Sequence, residues 1–282
     1  MKQRALGKTG RSLSIVGFGG IVVRDETPES AAAIVGEAVE RGVNYFDVAP
    51  SYGNAEERLG PALKPYRDNV FLACKTDKRS AAESKAELEA SLERLCTDHF
   101  DLYQFHAVNR LEEVDQIFGP GGAIETFQQA RKEGRIHHVG FSSHSEEVAL
   151  QMLARFAFDT VLFPLNFACW LEGNFGPRLH AKIMELGIGV TAIKALCKRP
   201  LAEGEERPWK KAWYFPLEDA EAAAKAFRFT LSRPVTAAMS PGHVELLRFA
   251  MDAADRFTPM TAEEERALVA DLGGKPLFTS QP

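Results

Sequence analysis

Apolar positions along this chain gather into short dense runs separated by longer stretches in which apolar residues recur every three or four positions. The runs are "LSIVGFG", "VNYFDV", "VFLACKT", "FDLYQFHA", "IHHVGFSS", "TVLFPLNF", "IGVTAIKA" and "PVTAAMS", eight in all. Their length and their content of β-branched and aromatic residues predict strands, and the stretches between them predict helices. In "TPESAAAIVGEAVERG", Thr27 can cap, Pro28 takes the first helical position and Gly42 closes the end. In "SAAESKAELEASLERL", Leu88, Leu92 and Leu95 form an apolar stripe beside Glu and Lys.

Strand and helix alternating eight times predict an α/β fold of the (β/α)8 TIM-barrel type. An open doubly wound sheet is disfavoured because no GxGxxG follows the first run. No linker or shift in composition divides the chain, so residues 1–282 are expected to form one domain. Residues 1–13, with "RALGKTGRSLS", read as a Gly-centred hairpin before the first barrel strand. Residues 258–282 read as a C-terminal helix and tail, with disorder expected only in "FTSQP".

Composition narrows the choice of partner. Of the 282 residues, 45% are hydrophobic and 26% charged, an ordinary globular profile. The formal charge of −5 argues against a sequence-independent grip on nucleic acid, which needs a basic face. No stretch approaches the roughly 18 apolar residues of a membrane span. The start "MKQRALGKTGRS" lacks the apolar segment of a signal peptide, so a cytoplasmic location is expected. Cys74, Cys96, Cys169 and Cys197 stand far apart without a CxxC pair, which predicts reduced thiols, mostly in the core, and no metal site.

In barrels of this kind the chemistry lies at the carboxyl ends of the strands. The second run ends in Asp47 with Tyr52 in the following loop, the third ends near Lys75 and the fourth near His106. A phenol has an ordinary pKa of about 10, and a neighbouring cation stabilises its phenolate, so Lys75 is expected to bring Tyr52 closer to neutral pH. A carboxylate keeps such a lysine charged against burial, which gives Asp47 its role. His106 can donate a hydrogen bond to the same substrate oxygen, as orienter and oxyanion donor.

With these residues placed, the sequence resembles the aldo-keto reductase superfamily through "LGKTGRSLSIVGFGG", "NYFDVAPSYGNAEERLG", Lys75 and His106, in order and over nearly the whole chain. It is similar to bacterial members with a middle section like "GFSSHSEEVALQML" and "FDTVLFPLNF", and no iron–sulfur extension is expected after the barrel. The resemblance implies a single barrel in which an aldehyde or ketone is reduced by hydride transfer from NAD(P)H, with Tyr52 as general acid. It implies NADPH as the favoured cofactor, with NADH the alternative. It also places carboxamide contacts at Ser142, Ser143 and Asn166. Relatives commonly have Asn where this chain has Ser143, Gln where it has Leu162, and an aromatic residue where it has Ile193. They often put Lys or Arg near the start of the last barrel helix, where Arg248 is the strong cation here. Phosphate in such barrels often lies between the loops after the last two strands, which singles out Lys194, beside Lys198 and Arg199, and Ser240 as helix cap ahead of Pro241.

The long loop "CKRPLAEGEERPWKKAWYFP", with Trp209, Trp213 and Tyr214, and Trp170 after the sixth strand, suggests a lid with aromatic walls. The expected partner is a small carbonyl compound, apolar or aromatic, bound by a monomer or small homo-oligomer. Two other readings stay open. One is a nucleotide-binding regulatory subunit with little turnover. The other is an aldolase-type lyase using Lys75 as a Schiff-base amine, against which Asp47 argues.

Overall fold

A computed structural model of the chain describes residues 1–280. The strands are β1 Gln3–Ala5, β2 Ser12–Ser14, β3 Val16–Gly19, β4 Tyr45–Asp47, β5 Phe71–Thr76, β6 Phe100–Phe105, β7 Ile136–Ser142, β8 Thr160–Pro164, β9 Gly189–Ile193, β10 Cys197–Arg199, β11 Phe215–Pro216 and β12 Ala237–Met239. Every predicted run supplies one barrel strand. The closed parallel barrel runs β12-β3-β4-β5-β6-β7-β8-β9 and returns to β12 through the β9 pairing.

Alternation along each strand sorts the side chains into two cores. Phe46, Leu72, Cys74, Tyr103, Phe105, Val161 and Val190 face outward and join the large cluster shared with the helices. Tyr45, Phe71, Ala73, Leu102, Leu162, Ala237 and Met239 face inward and form a smaller cluster, with Leu6 and Leu13 of the β1–β2 hairpin entering from below. The hairpin therefore plugs the N-terminal end of the barrel. The same alternation leaves Asp47, two residues beyond Tyr45, and Lys75, two beyond Ala73, pointing inward at the opposite end.

Local signals explain the helices. Pro28–Glu40 begins with Thr27 accepting a hydrogen bond from the Ser30 amide, and Gly42 follows it with φ +86°. In the helix Ala81–Arg94 and its end, Leu88, Leu92 and Leu95 are buried as the stripe requires. The last barrel helix departs from expectation. It spans Val244–Asp255 with His243 at the cap position, so Ser240 and Pro241 lie ahead of it. Ser240 instead accepts from the Gly19 amide at 3.0 Å, which joins the end of β12 to the end of β3. Gly242 is then crowded by the crossing chain: a Cβ there would lie 2.4 Å from the Lys211 carbonyl oxygen.

The tail also departs from expectation. After the helix Ala262–Leu272, Phe278 stacks between Phe175 and His144, with centroids 5.2 and 5.4 Å away. Ser280 donates to Glu146 and lies within hydrogen-bond distance of the Asn174 carbonyl, both at 2.6 Å. Aromatic burial and these bonds order what composition alone marks as polar and loose. Gln281 and Pro282, the rest of "FTSQP", lie outside the described residues.

One helix crossing sets the outer wall behind the site. In Ala55–Leu63, Glu56 is buried and accepts from Arg94 Nε at 2.6 Å and from Cys74 Sγ at 3.3 Å. The approach is close because Gly60 has no side chain: a Cβ there would lie 2.4 Å from the Arg94 carbonyl oxygen and 2.6 Å from Leu95 Cα. Gly60→Ala should therefore force backbone movement and cost about 1–3 kcal/mol. Urea unfolding checks this, with a lower midpoint at unchanged slope as the expected result.

Candidate active site

Lys75 is fully buried, at 0% exposure, and its ammonium donates to Asp47, itself 3% exposed. The Val48 carbonyl accepts a second bond from Lys75 at 3.3 Å. Burial works to neutralise this lysine, but the charge of Asp47 and the hydrogen bond to it, with Tyr52 adding to them, hold its pKa above the usual lysine value. Lys75 is thus kept cationic, which makes it a poor amine nucleophile. Asp47 needs further donors for its second oxygen, and it has them. Gln104 donates to Oδ2 at 2.8 Å and the Tyr45 hydroxyl at 3.4 Å. Both were missed in the sequence, although each stands two residues before a singled-out position on its strand.

Tyr52 lies above this pair, with Lys75 Nζ 5.6 Å from its ring centre. The expectation that Lys75 draws the phenol down toward neutral pH is corrected. Burial is the largest influence and raises the Tyr52 pKa; Lys75 opposes it, Asp47 reinforces it, and the net displacement is upward. Tyr52 is accordingly a protonated phenol at neutral pH, the form a proton donor must have. His106 meets it edge-on, with ring centres 5.8 Å apart and planes at 82°. Its Nδ1 lies 2.8 Å from Asp77 Oδ1 and 3.4 Å from Ser51 Oγ. All four residues singled out in the sequence therefore converge on the carboxyl ends of β4, β5 and β6.

Asp47, Tyr52 and His106 line a cavity of about 590 Å³, together with Ser142, Leu162, Ile193, Lys194 and Ser240. Ser142 accepts from the Ala107 amide at 2.8 Å, pinning the loop that carries His106. Ser145 caps the following helix. Ser143 is turned away: fully buried, it exchanges hydrogen bonds with the Ser145 backbone at 3.0 Å. Asn166 caps Phe167–Leu171 through Oδ1, and its buried Nδ2 has no partner among the described residues. Arg248 does not reach the cavity. It pairs with Glu37 on the outer surface at 2.7 Å.

Lys194 differs from Lys75 in lacking a countercharge. Its backbone is left-handed, with φ +69°, and its ammonium sits 5.4 Å from the Tyr214 ring centre and 5.9 Å from that of Trp213. Burial lowers its pKa, opposed only by Cys197, and no carboxylate pairs with it among the described residues. A half-buried cation without an anion is a receptive place for one. The neighbouring His144, stacked on Phe278, has its pKa lowered to about 3 by burial, with the charges of Lys194 and His106 contributing.

The roof of the cavity is a strap between β10 and β11, which pair antiparallel. Lys211, Ala212, Trp213 and Tyr214 line the cavity from this strap, and Leu277 and Phe278 line it from the tail. Lys211 fastens the strap by donating to the Val22 carbonyl at 2.7 Å and to Glu26 at 2.9 Å. Two expected wall aromatics lie elsewhere. Trp170 meets His180 edge-on at 5.5 Å, and Trp209 donates to Glu218 while packing against His243. At the other end of the barrel, His99, Asp101 and His137 bring potential metal-ligand atoms within 4.8 Å of one another, a grouping that sequence spacing did not show. Arg67 and Arg11 already pair with Asp101 at 3.0 and 3.3 Å, so its charge is balanced without a metal ion.

Comparison with known proteins agrees with this geometry. The model of the Aldo/keto reductase family matches residues 16–225. This chain belongs to the aldo/keto reductase family. It is 27% identical over 300 residues to the uncharacterized oxidoreductase YqkF of Bacillus subtilis (strain 168), covering 95% of each chain. It is 30% identical over 226 residues to L-galactose dehydrogenase of Arabidopsis thaliana, covering 74% of this chain and 70% of that one. Among solved structures it resembles the holo form of aldo-keto reductase AKR11C1 from Bacillus halodurans, with a TM-score of 0.75 and 26% identity over 100% of this chain and 99% of the other. Family membership makes the protein an oxidoreductase, and no helix among the described residues is long and apolar enough to cross a membrane.

Two stability measurements probe the site of this reductase-family barrel without any ligand. Lys75→Met leaves Asp47 as a buried charge without its cation and should cost about 3–5 kcal/mol in urea unfolding. Adding Asp47→Asn should recover part of that loss, because the orphaned charge goes with it. His144 acts in the acid range. Its folded-state pKa is below that of the unfolded chain, so below pH 6.5 or so the unfolded chain takes up a proton the folded chain refuses, and stability falls as pH falls toward 3. His144→Gln should remove about 1.5 kcal/mol of the stability lost between neutral pH and pH 5, read from unfolding curves at each pH.

Proposed function

We propose that this chain is an NAD(P)H-dependent reductase of aldehydes or ketones in which Tyr52 donates the proton. The observation that carries the reading is the convergence of a protonated, partly buried phenol, a cation fixed beneath it and an imidazole beside it at one cavity mouth. Reduction of a carbonyl leaves negative charge on its oxygen, and a donor is needed there. Tyr52 gives that proton. Lys75, held by Asp47, stabilises the phenolate that remains, and His106 orients the oxygen by a hydrogen bond.

The residues present fit a nicotinamide cofactor. Among the described residues Asn166 Nδ2 is a buried donor without a partner, Lys194 is a half-buried cation without an anion, and Ser142 and Lys194 line the cavity wall. Bound there, the cofactor would supply the hydride. Asn166 and Ser142 would hold the carboxamide, Ile193 would give the ring an aliphatic face, and Lys194 with the Ser240 loop would hold phosphate. NADPH is the favoured form and NADH the alternative, a preference that rests on the family because Arg248 is engaged by Glu37. The substrate wall is apolar and partly aromatic, with Trp213, Tyr214, Leu277 and Phe278 facing the catalytic residues, which suits an apolar or aromatic carbonyl compound.

Tyr52→Phe keeps the ring and removes only the hydroxyl. It should lower kcat for carbonyl reduction by about 10²- to 10⁴-fold while cofactor affinity is retained. An aldehyde panel under saturating NADPH checks this, and near wild-type turnover would sink the assignment of Tyr52. Fluorescence titration with NADPH and NADH tests the anion site. Lys194→Ala should weaken binding by about 1.5–3 kcal/mol, the size of a hydrogen bond to a charged group, and an unchanged dissociation constant would remove Lys194 from the cofactor site.

A further inference from the structure

We infer that Asp77, at the end of the third barrel strand, is a positioning residue that fixes the proton of His106 on Nδ1 and so decides which form of the imidazole can meet the substrate oxygen. This rests on the proposed reductase reading for its consequence, although the proton placement itself does not depend on turnover. Asp77 follows Thr76, the last residue of β5, and reaches across to the next loop. There its Oδ1 lies 2.8 Å from His106 Nδ1. Burial works to raise the Asp77 pKa, but the hydrogen bonds from His106 and Ser51 and the charges of His106 and Arg79 bring it below the usual value, so it is an acceptor at neutral pH.

An ionised carboxylate only accepts, so the ring nitrogen facing it must carry hydrogen. That leaves Nε2 as the nitrogen available to a ligand. When the ring is neutral, Nε2 holds a lone pair and repels a carbonyl oxygen, whereas it can accept from an alcohol hydroxyl. When the ring carries its second proton, Nε2 donates, and the Asp77 carboxylate stabilises that cation. His106 therefore assists carbonyl reduction in its charged form and alcohol binding in its neutral form.

The groups facing His106 are few and come from each neighbouring element. Asp77 and Ser51 approach Nδ1, and Tyr52 meets the ring edge-on with the Lys75–Asp47 pair behind it. Arg79 donates to the His106 carbonyl at 2.7 Å and to Glu113 at 3.0 Å, which fixes the backbone rather than the ring. His144 feels the charge of His106 from the next loop and stays neutral, as its lowered pKa shows. Of these, only Asp77 presents an anion directly to the imidazole. Its signal in the sequence was slight: a carboxylate two residues beyond the singled-out lysine, in "CKTDK".

The test uses the whole chain with ¹⁵N-labelled histidine, the His106 resonances being assigned from His106→Gln. At a pH where the ring is neutral, wild type should show His106 protonated on Nδ1. In Asp77→Leu that preference should be lost in favour of Nε2–H or a mixture, and Asp77→Glu should restore it. In parallel, Asp77→Leu should lower kcat/KM for reduction of an aldehyde at neutral pH by about 10-fold, in the range typical when a residue that orients a histidine is removed. Cofactor affinity should not move. An unchanged tautomer in Asp77→Leu overturns the assignment. If wild type reduces no carbonyl yet the tautomer shifts as stated, the reductase reading fails and the positioning role of Asp77 stands.

Discussion

A charged lysine inside a barrel is permissible only with an anion at contact, and that requirement organises the upper half of this molecule. Lys75 is inward because strand alternation makes it so, and it is sealed from water. Asp47 must therefore come from the adjacent strand at the matching height. The register supplies it: Asp47 lies level with Ala73, two residues below Lys75 on the inward side. Asp47 in turn requires donors for its remaining oxygen, which places Gln104 on the third neighbouring strand, level with Lys75. A polar network of this kind replaces what would otherwise be another layer of aliphatic side chains.

The two lysines of the cavity show how context divides one chemical group into two uses. Lys75 has its anion built in, and its charge is held whether or not a ligand is present. Lys194 has aromatic rings and no carboxylate, so burial weakens its hold on the proton. The first is neutralised by its own barrel, and the second is poised to gain from an anionic visitor.

The barrel and the end at which Asp47 and Lys75 meet were legible because both follow from periodicity. Eight apolar runs became eight strands, and alternation placed Asp47 and Lys75 on the inner side without any further information. What escaped depended on contacts between distant segments. Ser240 looked like a helix cap, but Gly19 offered it an amide from a strand more than two hundred positions away. Phe278 sat in a polar tail, and only Phe175 and His144 reveal why it is ordered. Ser143 and Arg248 carry suitable chemistry and point elsewhere, one into a turn and the other to Glu37. The direction of the Tyr52 shift was misjudged because a sequence shows the nearby cation and hides the degree of burial.

The strap and tail that roof the cavity come from a different stretch of chain than the ion pair and the two rings beneath. Asp47, Tyr52, Lys75 and His106 lie in the first half of the sequence, whereas Lys211 to Tyr214 and Leu277 to Phe278 lie in the second. A lengthened strap or an altered tail would reshape the entrance without disturbing the ion pair, since none of its partners lies beyond Gln104. Inheritance can therefore act on the two halves separately. Descendants of such a gene could diversify in the molecules they admit, through changes late in the chain, while keeping one unaltered polar cluster near its beginning.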